Sequence, residues 1–209
     1  KEELNFANSE FFIKKKSGKN TFGTERYFKL VEETENEIII PRGFIGKLLR
    51  FCKEHKIDFD FQDHRKLKES INFSFHATSR THQNKAVESV SKKDFGVIVA
   101  PPGSGKTIIG LKIISEKKQP VLIVVHRIQL LGQWQERVQA FLGIPKHEIG
   151  IIGKGQTKIG KQITIATIQS LPKQIEQIQN QFGTILLDEC HHIPAETFRS
   201  TIEKLNTFY

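Results

Sequence analysis

Two short stretches of this sequence carry side chains that can do chemistry together. The first is APPGSGKT, residues 100–107. Gly103 and Gly105 permit a tight loop whose backbone N–H groups turn inward toward phosphate oxygens, with Pro102 and Ser104 completing it. A helix beginning just after the loop adds its partial positive charge. From there Lys106 reaches the β- and γ-phosphates and the Thr107 hydroxyl binds Mg²⁺. The strict pattern opens on glycine, and Ala100 stands in that place, but the GSGKT end carries most of the cradle. The second stretch is TILLDECHHIP, residues 184–194, an oily run that ends in two carboxylates. At the end of a strand in the same sheet, Asp188 holds the Mg²⁺, directly or through water. Glu189 then polarises the water that attacks the γ-phosphate.

Cys190, His191 and His192 invite a zinc reading instead. Three adjacent residues do not converge readily on one tetrahedral ion, and no Cys pair stands elsewhere at ligand spacing. Cys190 therefore reads as a small buried residue, one histidine as a link from the nucleotide site to a neighbouring element, and the other as packed.

These residues need elements to hold them. GVIVA (96–100), PVLIVV (120–125), KQITIAT (161–167) and FGTILLD (182–188) read as buried strands. Between them TIIGLKIISEKK, HRIQLLGQWQERVQAFL and the shorter LPKQIEQIQN read as helices. Buried strands alternating with amphipathic helices predict an α/β fold with a mostly parallel sheet covered on both faces. Ligands in such sheets sit at the carboxyl ends of the strands. Trp134 falls within the helical pattern and reads as core rather than as a base-stacking platform.

Residues 1–75 differ in texture. RYFKLVEE and EIIIPRG read as strands about the turn TENE, residues 42–55 as a helix, and IDFDF (57–61) as a half-buried strand. The sequence thus predicts a small α+β domain over 1–75 and an α/β domain over 76–209, with the charged stretch 61–70 a linker or surface helix. The chain has 209 residues and a net charge of +9, of which residues 1–75 carry +2 and the remainder +7. That surplus favours a polyanionic partner. Two cysteines make no disulfide framework and point to a reducing, cytoplasmic compartment. No apolar run is long enough to span a membrane. The chain opens at Lys1 and holds no methionine, as a fragment of a longer protein can.

Taken together the motifs resemble those of superfamily-2 helicases and translocases. APPGSGKT is similar to motif I and DECH to motif II of the DEAD/DEAH type, with Cys190 where many members carry Ala. VVHRIQLLGQW resembles motif Ia of the XPB/UvsW-like branch, which includes the helicase part of TOTE-type conflict proteins. IATIQSL resembles the nucleic-acid-contacting motif that follows. SRTHQNKAV resembles the element before motif I in which Arg and Gln address adenine, which points to Arg80 and Gln83. The resemblance implies a RecA-like P-loop NTPase domain using ATP and Mg²⁺, with Lys106, Asp188 and Glu189 catalytic. The sequence stops at Tyr209, before a Ser/Thr-Ala-Thr motif and before the second RecA-like domain that in the family supplies arginine fingers. Alone, it is expected to bind ATP and hydrolyse it poorly.

Further donors stand at the expected strand ends. His126, Arg127, Gln129 and Gln133 follow PVLIVV and open a helix, where donors meet phosphates. Thr167, Gln169 and Ser170 follow KQITIAT. Gln129 and Gln133 read equally as solvated helix positions. Lys154, with Lys158 and Lys161, lies in a Gly-containing loop or hairpin, either solvated or phosphate-contacting. Such backbone contacts suit a motor passing over any sequence, with duplex or branched DNA as its expected track. Two rival readings remain: a restriction-type translocase subunit, and a nucleotide-gated module that clamps nucleic acid without unwinding it.

Overall fold

The computed structural model describes residues 4–192 and 196–209. The chain divides between Gln62 and Asp63 into two compact units. In the smaller, β1 (Asn5–Ala7) leads into α1 (Ser9–Lys16), and β2 (Tyr27–Lys29) returns antiparallel to β1. The Asn8 side chain caps α1 by accepting from the Glu10 N–H at 3.1 Å. β3 (Glu32–Glu33) and β4 (Ile38–Ile39) form a hairpin about the predicted TENE turn, and a short 3₁₀ turn leads into α2 (Ile45–Glu54). IDFDF is not a strand. Its residues are exposed and make no ladder, so alternation alone did not supply a partner edge.

The larger unit runs through α3 (Thr81–Ser91), α4 (Lys106–Lys117), β5 (Val121–Val125) and α5 (Ile128–Leu142). There follow β6 (Gly150–Gly153), β7 (Gln156–Lys158), β8 (Ile163–Thr167), α6 (Ile175–Ile178), β9 (Thr184–Leu187) and α7 (Glu196–Glu203). Its sheet has five strands in the order β7-β6-β8-β5-β9, parallel except for β7. Every residue of β5 and β8 is buried. Val121, Ile123 and Val125 face one core with Leu111, Ile114, Leu131 and Val138 of α4 and α5. Leu122 and Val124 face a second core with Ile178, Phe182 and Leu205. Two apolar faces explain why these strands read as continuous hydrophobic runs.

GVIVA, expected as the strand before the phosphate loop, makes no ladder here, and Val97 and Val99 are 65% and 94% exposed. The edge of β9 away from β5 is occupied otherwise: Ile185 N–H donates to the Tyr209 carbonyl at 3.0 Å, and Phe208 N–H to Gly183 at 3.0 Å. With that edge engaged, the run keeps its β-branched character without a strand to pair with.

Residues 63–75 lie in the larger unit, whereas the sequence reading set them in the first domain. The stretch expected as linker or surface helix is from Asp63 onward a docked, extended segment. Gln119 clasps it through Lys68, whose N–H donates to Oε1 at 2.6 Å while Nε2 donates back to the Lys68 carbonyl at 3.3 Å. Ile71 N–H donates to Lys118, His76 N–H donates to Phe141, and Phe73 and Phe75 pack on the core. Arg65 pairs with Asp63 and Asp94, its guanidinium 4.4 Å from the Phe208 ring centre. Among the described residues no helix is long and apolar enough to cross a membrane.

Candidate nucleotide and nucleic-acid site

The loop ahead of α4 turns on two left-handed glycines, Gly103 at φ 78° and Gly105 at φ 80°. Gly105 is the residue before the first turn of α4, and a Cβ there would collide with the Gln83 amide. Both its conformation and its surroundings therefore require glycine. Gln83, only 5% exposed, ties α3 to this loop. Its Nε2 donates to the Ser104 carbonyl at 2.9 Å and its Oε1 accepts from the Arg80 N–H at 2.8 Å. His82, which the sequence reading passed over, places Nε2 3.0 Å from the same carbonyl. The Ser104 hydroxyl is buried without a hydrogen-bond partner among the described residues, an orphaned donor that a phosphate oxygen would satisfy.

Opposite this loop, β9 delivers its acids. Lys106 Nζ donates to Glu189 Oε1 at 2.8 Å, which brings the first turn of α4 against the end of β9. The hydrogen bond from Lys106, with its charge, lowers the Glu189 pKa, and the same contact raises that of Lys106. Glu189 holds φ 53°, a left-handed conformation uncommon for a side chain other than Gly, Asn or Asp. Asp188 is held by its backbone, N–H to the Val124 carbonyl at 2.9 Å, and by its side chain, Oδ2 accepting from Trp134 Nε1 at 2.8 Å. Trp134 is indeed buried, as read, and its N–H contact is a feature the sequence reading missed.

Thr107 and Asp188 adjoin the two bridged residues, so a hydroxyl and a carboxylate come from facing element ends. An all-oxygen donor pair of this kind fits Mg²⁺. Cys190 is exposed, not buried as expected, since it lies in a 3₁₀ turn past the strand end. His191 Nδ1 stands 3.4 Å from Glu189 Oε2; the reading of His192 as linking or packed lies outside the described side chains. Among the described residues no three His, Cys, Asp or Glu side chains cluster in metal-holding geometry.

The remaining candidates line up along the same end of the sheet. Register pairs Ile152 with Ala166, Val125 with Thr167, and Val124 with Leu187. The carboxyl ends of β6, β8, β5 and β9 therefore present, in order, Lys154, then Thr167 with Gln169 and Ser170, then His126 and Arg127, then Asp188. At strand spacings of about 4.8 Å the row spans roughly 14 Å. Thr167 Oγ1 and Ser170 Oγ share a hydrogen bond of 2.8 Å, and Gln169 Nε2 donates to the His126 carbonyl at 3.0 Å, tying neighbouring strand ends together. Arg127, Gln129, Gln133 and Lys154 are exposed. Lys154 and Gly155, at φ 53° and 73°, form the two-residue turn between β6 and β7, so the basic stretch is a hairpin. Lys158 leaves the row, bonded through Nζ to the His147 carbonyl.

Residues 76–209 match the family described as "Type III restriction enzyme, res subunit". Among curated proteins, the chain is 40% identical over 119 residues to the DNA 3'-5' translocase XPB2 of Sulfurisphaera tokodaii, covering 57% of this chain and 26% of that protein. It is 33% identical over 110 residues to the probable helicase D10 of Escherichia phage T5, covering 53% and 24%. The chain thus spans about a quarter of these relatives' length. Among solved structures it resembles the UvsW helicase of bacteriophage T4, with TM-score 0.69 and 19% identity over 98% of this chain and 79% of that one. It also resembles the Sulfolobus solfataricus SWI2/SNF2 ATPase core in complex with dsDNA, with TM-score 0.56 and 21% identity over 69% and 33%.

Proposed function

The chain belongs to the type III restriction enzyme res-subunit family, in the XPB/UvsW-like branch of superfamily-2 helicases, and from that premise we propose that it is the ATP-binding part of a DNA helicase or translocase. Residues 76–209, with 63–75 docked on them, make up the first RecA-like motor domain, and residues 1–62 a small accessory domain. One observation carries the reading: the Lys106–Glu189 contact of 2.8 Å, which sets phosphate loop and strand-end acids face to face. Backbone N–H groups of Gly103, Gly105, Lys106 and Thr107 at the α4 N-terminus receive the phosphates, and Arg80 and Gln83 address adenine. Lys106 exchanges Glu189 for a phosphate oxygen. Thr107 and Asp188 would hold Mg²⁺, which neutralises charge developing on the phosphates. Glu189, released from Lys106, orients and deprotonates the attacking water.

The strand-end row supplies the track. Arg127 and Lys154 offer charge, while His126 and the uncharged Gln129, Gln133, Thr167, Gln169 and Ser170 offer hydrogen-bond donors to a phosphate backbone, without reading bases. The domain provides one side of that track, and a second RecA-like domain downstream supplies the other with the arginine fingers. This chain alone binds ATP and turns it over slowly. The work is intracellular, on duplex or branched DNA.

DNA-stimulated ATPase together with strand displacement by the full-length protein tests the reading. Stimulated turnover with displacement is expected, and nucleotide-dependent binding with neither would leave a clamp. The family description favours a second reading, in which the motor moves along duplex DNA for a separate nuclease. That translocase would displace a bound third strand while leaving the duplex intact.

A further inference from the structure

Trp134 is the chain's single tryptophan, seven residues into α5 and 4% exposed. A buried indole carries one N–H and no acceptor, so its place in a core is defined by what takes that proton. Here the acceptor is Asp188 Oδ2, at 2.8 Å. The ring itself has little freedom. It packs among Leu131, Val138 and Leu186, and Gly110 of α4 passes so close that a Cβ there would stand 3.6 Å from Trp134 Cη2 and 2.9 Å from Leu186 Cδ1. Three elements, α4, α5 and β9, therefore fix the donor, and the donor engages one of the two Asp188 oxygens.

We propose that Trp134 is a positioning residue for Asp188, holding its carboxylate in the one orientation that presents the other oxygen to the nucleotide's Mg²⁺. The proposal rests on the reading of Asp188 as the Mg²⁺ carboxylate. Its physical basis is that an aspartate at a strand end has two free torsions, whereas a rigid bicyclic donor set in a core has none to spare. The same indole connects the metal carboxylate to α5, whose preceding residue is Arg127. A shift of that helix is thereby transmitted to the carboxylate through a single hydrogen bond.

The test uses the 209-residue chain in three forms: wild type, Trp134→Phe, and a protein carrying benzothienylalanine at position 134, which keeps the bicyclic shape and lacks only the N–H. Affinity for a fluorescent ATP analogue is followed by anisotropy in EDTA and across a Mg²⁺ titration. All three are expected to bind equally in EDTA, with the Mg²⁺ midpoint raised about ten- to a hundredfold in both altered proteins. In wild type, Trp134 emission should change with that same midpoint. If Trp134→Phe packs poorly, the benzothienylalanine protein decides. A wild-type midpoint in that protein overturns the positioning role and leaves the site reading standing. Wild-type binding indifferent to Mg²⁺ removes the Asp188 assignment, and this inference with it.

Discussion

Glu189 and Lys106 are each other's partner in this structure, and each consequence can be measured. The Lys106 hydrogen bond holds Glu189 below the ordinary carboxylate range, so the contact contributes fully above the unfolded carboxylate pKa of about 4.3 and is lost as pH falls through the depressed folded value. Both side chains are about one-third exposed, so solvent screening keeps the stability effect small. An NMR titration should find the Glu189 midpoint below that of ordinary glutamates, and moved upward in Lys106→Ala. An unshifted midpoint would mean that the pair does not persist in solution. Lys106→Ala should also lose nucleotide binding with an unchanged circular dichroism spectrum. Glu189→Gln separates binding from chemistry: it frees Lys106, so ATP affinity should hold or rise, while hydrolysis by the full-length protein falls by about 10²–10⁴. A variant that still hydrolyses at the wild-type rate would remove Glu189 from the reaction.

At the scale of elements, the site is made by strand ends. Helices α4 and α5 cover one face of the sheet and begin beside it, which places Lys106 and Arg127 where β9 and β5 stop. On the proposed reading Arg127 and Lys154 meet backbone phosphates and release condensed counterions, so DNA affinity should fall steeply with salt. Arg127→Ala should weaken binding alike for all sequences and make the salt slope shallower by about one unit. Titrations of both proteins at several salt concentrations decide the matter. A marked base preference, or a slope near zero, would place the track elsewhere.

For the molecule as a whole, the division between Gln62 and Asp63 has a practical consequence. A piece comprising 63–209 keeps the Gln119–Lys68 clasp, the Arg65 contacts, and Phe73 and Phe75 against the core. A piece comprising 76–209 loses all of them. Partial burial of two phenylalanines alone amounts to about 3 kcal/mol, so urea denaturation should find the shorter piece less stable by at least that margin. Equal midpoints and slopes would show that residues 63–75 contribute nothing to the larger unit.

The sequence by itself singled out the loop glycines and the facing acids of the candidate nucleotide site and most of the elements around them. Gly103 and Gly105 are dictated by backbone conformation, and β5, β8 and β9 announce themselves because both faces of the sheet are covered. Such signals are local, residing in one residue's φ or one run's hydrophobicity. Tertiary structure alone decided the rest. GVIVA has the same β-branched texture as β5, yet a strand exists only where a neighbouring edge accepts its hydrogen bonds, and the free edge of β9 is taken by Phe208 and Tyr209. Residues 63–75 looked like part of the first domain because their attachment comes from Gln119, which is far along the chain. Trp134 read correctly as core, but its N–H partner, Asp188, lies 54 residues away in sequence. A hydrogen bond between two elements leaves no periodicity behind it, so only the packing of α5 against β9 could reveal it.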